Sequence, residues 1–134
     1  MLRRVSLLAA VVAVLTMALA GTAWAELVRG NPNPDTLTGT ADADNIYGFG
    51  ENDILYGLAG GDSIYGGGGN DRAEGGDGND FLYGGPGNDT INSQDGEPGN
   101  DYVNCGAGTD TAYVDSGDFV EPGTCETVLT TPQP

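Results

Sequence analysis

A nine-residue phrase repeats through most of this chain and constrains the fold more than any other feature. The segment 75–92 reads GGDGNDFLYGGPGNDTIN, which is one phrase written twice. The frame holds over residues 30–113, apart from a three-residue insertion at 93–95, and a degenerate copy containing Asp118 and Val120 follows. A disordered glycine-rich chain has no reason to keep such a phase. The period therefore predicts a stacked repeat protein.

Two positions of the phrase never change in character. Position six is aspartate in all nine full copies: Asp35, Asp44, Asp53, Asp62, Asp71, Asp80, Asp89, Asp101 and Asp110. Position eight is apolar in all nine: Leu37, Ile46, Leu55, Ile64, Ala73, Leu82, Ile91, Val103 and Ala112. We therefore expect the apolar set to form a core and the aspartates to share one chemical task.

The two halves of the phrase favour different local structures. The first half consists of glycine, asparagine and aspartate, which favours a turn with positive φ. The second half surrounds one aliphatic residue and suits a short strand, whose side chains alternate between faces. Stacked phrases would pair their strands as an all-β, parallel β-solenoid. Tyrosines at position nine would then lie outside; packing between neighbouring coils is favoured over a sugar-binding or ligand-binding stripe. They are Tyr47, Tyr56, Tyr65, Tyr83 and Tyr113.

The stacked aspartates require a counter-ion. Neighbouring strands lie about 4.7–4.9 Å apart, and two carboxylates at that distance repel by roughly 3 kcal/mol at an effective dielectric near 20. A divalent cation between them would replace repulsion with attraction. Calcium accepts six to eight oxygen ligands in flexible geometry, whereas magnesium prefers an octahedron with several waters. The chain has no histidine and only two cysteines, so zinc, copper and iron lack their usual ligands.

The charge of the chain favours the same partner. From Glu26 onward there are 20 acidic residues against Arg29 and Arg72, so the net charge is 2 − 20 = −18. Such a charge repels nucleic acids and anionic membranes and attracts cations. Because histidine is absent, Ser-His and Cys-His catalytic arrangements are excluded, and no pair of acids is set apart for acid–base chemistry. The sequence predicts a protein that is not an enzyme.

The phrase resembles the RTX, or hemolysin-type, calcium-binding nonapeptide, G-G-x-G-x-D-x-U-x, over residues 30–113. The resemblance implies a right-handed parallel β-roll with two nonapeptides per turn. It also implies Ca²⁺ between turns two repeats apart, held by the nine aspartates and by turn carbonyls. Asp53 would then face Asp71, which would in turn face Asp89. The match is weakest in the first three copies, which lack glycine at position four, and across the insertion.

The termini indicate secretion. Residues 1–25 combine a basic head, an apolar run and a small-x-small ending, which is typical of a bacterial signal peptide cleaved after Ala25; a retained membrane anchor is the competing interpretation. Cys105 and Cys125 form an even pair, which in a secreted chain predicts a disulfide. We expect a cap strand at 26–29, a disulfide-bonded C-terminal cap at 114–128 and a disordered tail at 129–134.

Together these observations predict a secreted calcium-binding repeat protein that folds when it binds Ca²⁺. The alternative is a structural or adhesive cell-surface module that calcium rigidifies, whose tyrosine-bearing face meets a protein or glycan partner. In neither case is the chain expected to enter a membrane after signal cleavage.

Overall fold

The computed structural model describes residues 25–97 and 100–131. The predicted signal peptide therefore lies, except for its last residue, outside the described part of the chain. Twelve short strands follow one another: β1 Leu27–Arg29, β2 Thr36–Thr38, β3 Asn45–Gly50, β4 Ile54–Ala59, β5 Ser63–Gly68, β6 Arg72–Asp77, β7 Phe81–Pro86, β8 Thr90–Asn92, β9 Tyr102–Ala107, β10 Thr111–Val114, β11 Phe119–Val120 and β12 Thr127–Thr130.

The strands form two sheets that alternate along the chain. Odd-numbered strands pair in the order β1-β3-β5-β7-β9-β11, and even-numbered strands in the order β12-β10-β8-β6-β4-β2. Every pairing is parallel, and residues eighteen apart lie side by side, as Ile46 does with Ile64. Two repeats therefore make one turn, so the predicted all-β parallel β-roll is confirmed.

The core is the narrow space between the two sheets. The position-eight side chains fill it, and each of the nine is buried. Because strand residues alternate, the flanking positions seven and nine face outward, as the pattern in β5 shows with Ile64 buried between the half-buried Ser63 and Tyr65. Fully burying such an aliphatic side chain contributes about 1.5–3 kcal/mol. The predicted core is confirmed residue by residue.

The turns adopt the left-handed conformations that the glycines predicted. Positions two and four have positive φ in the central repeats, for example 103° at Gly67 and 114° at Gly69. Phe49, Glu51 and Leu58 adopt the same region although they are not glycine. This conformation costs a residue with a Cβ roughly 1–2 kcal/mol. The third and fourth turns therefore follow the turn geometry of the later repeats despite their departures from the consensus.

The insertion at 93–95 lies in the loop between β8 and β9 and does not shift the register. Beyond it, Leu82 lies opposite Val103, as the repeat frame requires. The C-terminal cap is tied to the roll by a disulfide between Cys105 and Cys125, whose Cα atoms are 5.2 Å apart. One expectation needs correction: β12 extends through Thr130 because it pairs with β10, so residues 129 and 130 are ordered strand rather than disordered tail.

Aromatic rings line the outer face of the odd-numbered sheet. The rings of Tyr47 and Tyr65 stack with centroids 4.8 Å apart, and those of Tyr65 and Tyr83 with centroids 5.0 Å apart. Tyr102 and Phe119 continue the row. Their ring faces are used against one another, which confirms packing between coils as the role of the position-nine tyrosines in this sheet.

Candidate metal-binding columns

Every strand in the described residues begins directly after an acidic residue. Stacking therefore aligns the acids in two rows, which we call columns. Column A precedes the odd-numbered strands and contains Glu26, Asp44, Asp62, Asp80, Asp101 and Asp118. Column B precedes the even-numbered strands and contains Asp35, Asp53, Asp71, Asp89, Asp110 and Glu126. The nine predicted ligands all lie in these columns. Glu26 and Glu126 were missed because they lie outside the nine-residue frame.

In each column, every acid after the first accepts a hydrogen bond from the backbone N–H of the acid one turn earlier, which forms a hydrogen-bond ladder. The backbone N–H of Asp53 donates to Oδ1 of Asp71 at 2.8 Å, and the N–H of Asp71 donates to Oδ1 of Asp89 at 2.8 Å. The ladder crosses the insertion, where the N–H of Asp80 donates to Oδ1 of Asp101 at 2.7 Å. The contacts therefore link acids two repeats apart, including pairs on either side of the insertion.

The other oxygen, Oδ2, has no hydrogen-bond partner in seven of the aspartates. Those seven are Asp53, Asp62, Asp71, Asp80, Asp89, Asp101 and Asp110, and each is at most 4% exposed. A buried carboxylate oxygen without a donor is costly unless it takes up a proton or contacts a cation. The interior of both columns is therefore incomplete as a purely protein structure.

Backbone carbonyls lie near several of these orphaned oxygens. We call the space between two successive turns of one column a gap. In the gap between turns 66–71 and 84–89, a Cβ placed on Gly66 would lie 2.5 Å from Asp71 Oδ2 and 2.7 Å from the Gly84 carbonyl oxygen. The carbonyls of Gly67 and Gly69 face the next turn across the same gap. One carboxylate oxygen and one carbonyl oxygen therefore meet at a point that only a glycine leaves open, and two further carbonyl oxygens face the same gap.

The same four-oxygen arrangement occurs in three further gaps. They lie between turns 48–53 and 66–71, between turns 57–62 and 75–80, and between turns 84–89 and 105–110. The gap across the insertion differs, because the Asn100 side-chain amide donates to the Gly78 carbonyl oxygen at 2.7 Å. The insertion thus preserves the strand register but changes the oxygen set of its own gap.

Burial also raises the pKa of the interior aspartates. The loss of water around the carboxylates, followed by repulsion from acids of the same column, raises the pKa of Asp71 and Asp80 to about 6. The same causes raise the pKa of Asp89 and Asp101 to about 7. These carboxylates are ionised at neutral pH only at a free-energy cost, which a bound cation would offset.

The donor set has the chemistry of a calcium site. All ligands on offer are oxygens, from carboxylates and from the peptide backbone, which is what Ca²⁺ prefers. Within residues 25–97 and 100–131 no three acidic or cysteine side chains converge on one point. A cation here would therefore be held by one column carboxylate together with carbonyls of two turns. Residues of the described chain fit calcium and offer no nitrogen or thiolate ligand to other metals.

The fold and the gaps define a parallel β-roll whose successive turns face one another with oxygen atoms. The family model for the RTX calcium-binding nonapeptide repeat (4 copies) matches residues 29–64, 65–97 and 95–118, more than half of the chain. The protein therefore belongs to the RTX calcium-binding repeat family. No curated protein and no solved structure matches it. In the described ranges, no helix is long and apolar enough to cross a bilayer.

Proposed function

We propose that this protein is a secreted calcium-binding module in which Ca²⁺ occupies the gaps and completes the fold. The observation that carries the proposal is the set of seven buried Oδ2 atoms without donors. Five of them lie beside the position-one glycine of their own turn, and four of these five also lie beside a carbonyl oxygen of the next turn. No other feature of the described chain supplies the positive charge that these oxygens need.

Calcium binding is coupled to folding in this proposal. The mature chain carries a net charge of −18, and its core is one side chain thick. Without cations, the buried carboxylates would have to remain dehydrated or become protonated. Because the complete oxygen set exists only in the folded roll, the free energy of binding becomes free energy of folding.

Export is supported by two independent features. Residues 1–25 have the sequence pattern of a signal peptide. The Cys105–Cys125 disulfide has ordinary bridging geometry, and such bonds persist in oxidising compartments outside the cytosol. Extracellular calcium would then fill the sites after the chain has left the cell.

A calcium titration followed by circular dichroism tests the proposal. The mature chain, from Glu26, would be freed of metal with a chelator and titrated with Ca²⁺ and, separately, with Mg²⁺. We expect little β structure without metal, a cooperative gain with Ca²⁺, and no comparable gain with Mg²⁺ at the same concentration. Sheet content that is high in chelator and unchanged by calcium would contradict the proposal.

A second candidate function is an adhesive or structural module rigidified by calcium. It is favoured by the outer face of the odd-numbered sheet, where Phe49, Phe81 and Phe119 are 45%, 49% and 54% exposed. These rings lie beside the stacked tyrosines and give an extended aromatic surface on an acidic protein, with Arg29 over the Phe49 ring. Capture of a protein or glycan from the envelope of the producing cell, with calcium and without it, tests this function. A simple calcium-binding protein would retain no partner.

A further inference from the structure

In the first two turns of the roll, the aspartate oxygens accept hydrogen bonds that are missing in the seven later turns. In turn 39–44, Asp44 Oδ2 accepts the backbone N–H of Thr40 at 2.5 Å and its hydroxyl at 3.0 Å. In turn 30–35, Asp35 accepts the backbone N–H of Asn31 at 2.6 Å and its side-chain amide at 2.7 Å. Protein donors thus occupy the oxygens that remain unpaired in the later turns.

The difference originates at position two of the phrase. In the next five copies this position has positive φ, for example 82° at Phe49, 85° at Leu58 and 103° at Gly67. Asn31 and Thr40 lie outside that region, and their N–H groups donate to the aspartate of their own turn. Threonine is β-branched, and positive φ is unfavourable for it. The sequence of the first two copies therefore sets a conformation that we call closed, in which protein donors reach the aspartate Oδ2. Turns whose aspartate Oδ2 has no donor are called open.

In the second turn, Thr40 supplies the donors to Asp44 Oδ2. Asp44 Oδ1 accepts the N–H of Glu26 at 2.8 Å. Both oxygens of this carboxylate, which is 2% exposed, are therefore satisfied by the protein itself.

We propose that turns 30–35 and 39–44 form a calcium-independent N-terminal cap, and that the calcium sites begin with the turns of Asp53 and Asp62. This inference rests on the proposed function and specifies which aspartates bind the ion. The cap also positions the first open turns, because the N–H of Asp35 donates to Asp53 Oδ1 at 2.8 Å and that of Asp44 donates to Asp62 Oδ1 at 2.7 Å.

Two matched substitutions in column A test the inference. Asp44→Asn alters a closed turn, and Asp62→Asn alters the next, open turn of the same column. Native mass spectrometry of the disulfide-bonded mature chain would count the ions bound at saturating calcium, and circular dichroism would verify that each variant is folded. We expect Asp44→Asn to bind as many ions as the parent. Asp62→Asn should bind at least one fewer, with a calcium midpoint raised about tenfold.

A gain-of-binding variant tests the role of position two. Thr40→Gly combined with Asp42→Gly changes the second turn from GTADAD to GGAGAD, which permits the open conformation. We expect this variant to bind one more ion than the parent. An ion lost by Asp44→Asn, or an unchanged count in the double variant, would overturn the inference while leaving calcium binding intact. A parent protein that binds no calcium would overturn the proposed function as well.

Discussion

Replacing Gly66 with alanine tests whether the space beside the orphaned oxygens is a binding site. The new Cβ would lie 2.5 Å from Asp71 Oδ2 and 2.7 Å from the Gly84 carbonyl oxygen, both closer than real Cβ contacts allow. The φ of Gly66 is not in the positive range, so the effect would come from occupied space rather than from backbone strain. The methyl group must therefore push apart two of the four oxygens that line the gap.

Gly68 provides a matched control in the same strand. A Cβ on Gly68 meets no atom within 4 Å, and its φ is also outside the positive range. Gly68→Ala should therefore be neutral, or stabilise the folded chain by about 0.4–1 kcal/mol through the lower entropy of the unfolded chain. Both substitutions add one methyl group to β5, so they differ only in what that group meets.

The expected magnitude follows from the overpacking. Forcing an extra methyl group into a packed site costs about 1–3 kcal/mol, and 2 kcal/mol corresponds to about 30-fold in a binding constant. We expect Gly66→Ala to raise the calcium midpoint by about that factor and to remove one ion at saturation. Isothermal titration calorimetry and ion counting would measure both. Equal midpoints for Gly66→Ala and Gly68→Ala would refute the assignment of this gap as a calcium site.

Three further results are expected. Reducing the Cys105–Cys125 disulfide should lower the free energy of unfolding by about 3 kcal/mol and raise the calcium concentration needed for folding. A calcium titration with and without reductant measures the change, and two free thiols in the secreted protein would contradict the disulfide. Asp71→Ala should raise the calcium midpoint about tenfold and reduce the cooperativity of binding, whereas Asp35→Ala should loosen only the first turn of the roll. Equal losses of calcium affinity in the two variants would exclude a shared interior column. Because the pKa of Asp89 is raised from 3.8 to about 7 in the metal-free fold, folded molecules bind more protons than unfolded ones between those values, so stability falls as pH rises through this window. Lowering the pH from 7.5 to 5 without calcium should increase β structure by circular dichroism, and a decrease would contradict the raised pKa values.

The period of the sequence predicted the architecture almost completely. A fixed nine-residue phase determines which side chains face inward, so the core from Leu37 to Ala112 and the aspartate columns could be assigned before any coordinates. The aromatic packing between coils also followed, because Tyr47, Tyr65 and Tyr83 recur every eighteen residues. Such features depend only on register, which a repeat fixes.

What the sequence did not predict depends on local conformation or on residues outside the frame. Glu26 and Glu126 extend the columns, but neither belongs to a recognisable copy of the phrase. The closed turns of Asp35 and Asp44 depend on the φ value at position two, which the aspartates themselves do not reveal. The order of residues 129 and 130 depends on the free edge of β10, which offers backbone partners to a sequence without its own strand pattern.

The alternation of repeats between two sheets imposes a parity rule on the length of this molecule. Column neighbours are eighteen residues apart, so gain or loss of a single nonapeptide would transfer every later repeat to the opposite face. The stacked rings would then continue into the positions now occupied by Thr90 and Thr111, and neither face would keep a uniform surface. Gain or loss of two nonapeptides would instead change the roll by one turn, about 4.8 Å, and extend or shorten both faces unmixed. The three-residue insertion avoids this constraint because it lengthens one loop without adding a strand. We therefore expect homologous rolls that share this aromatic face to differ in length by whole turns.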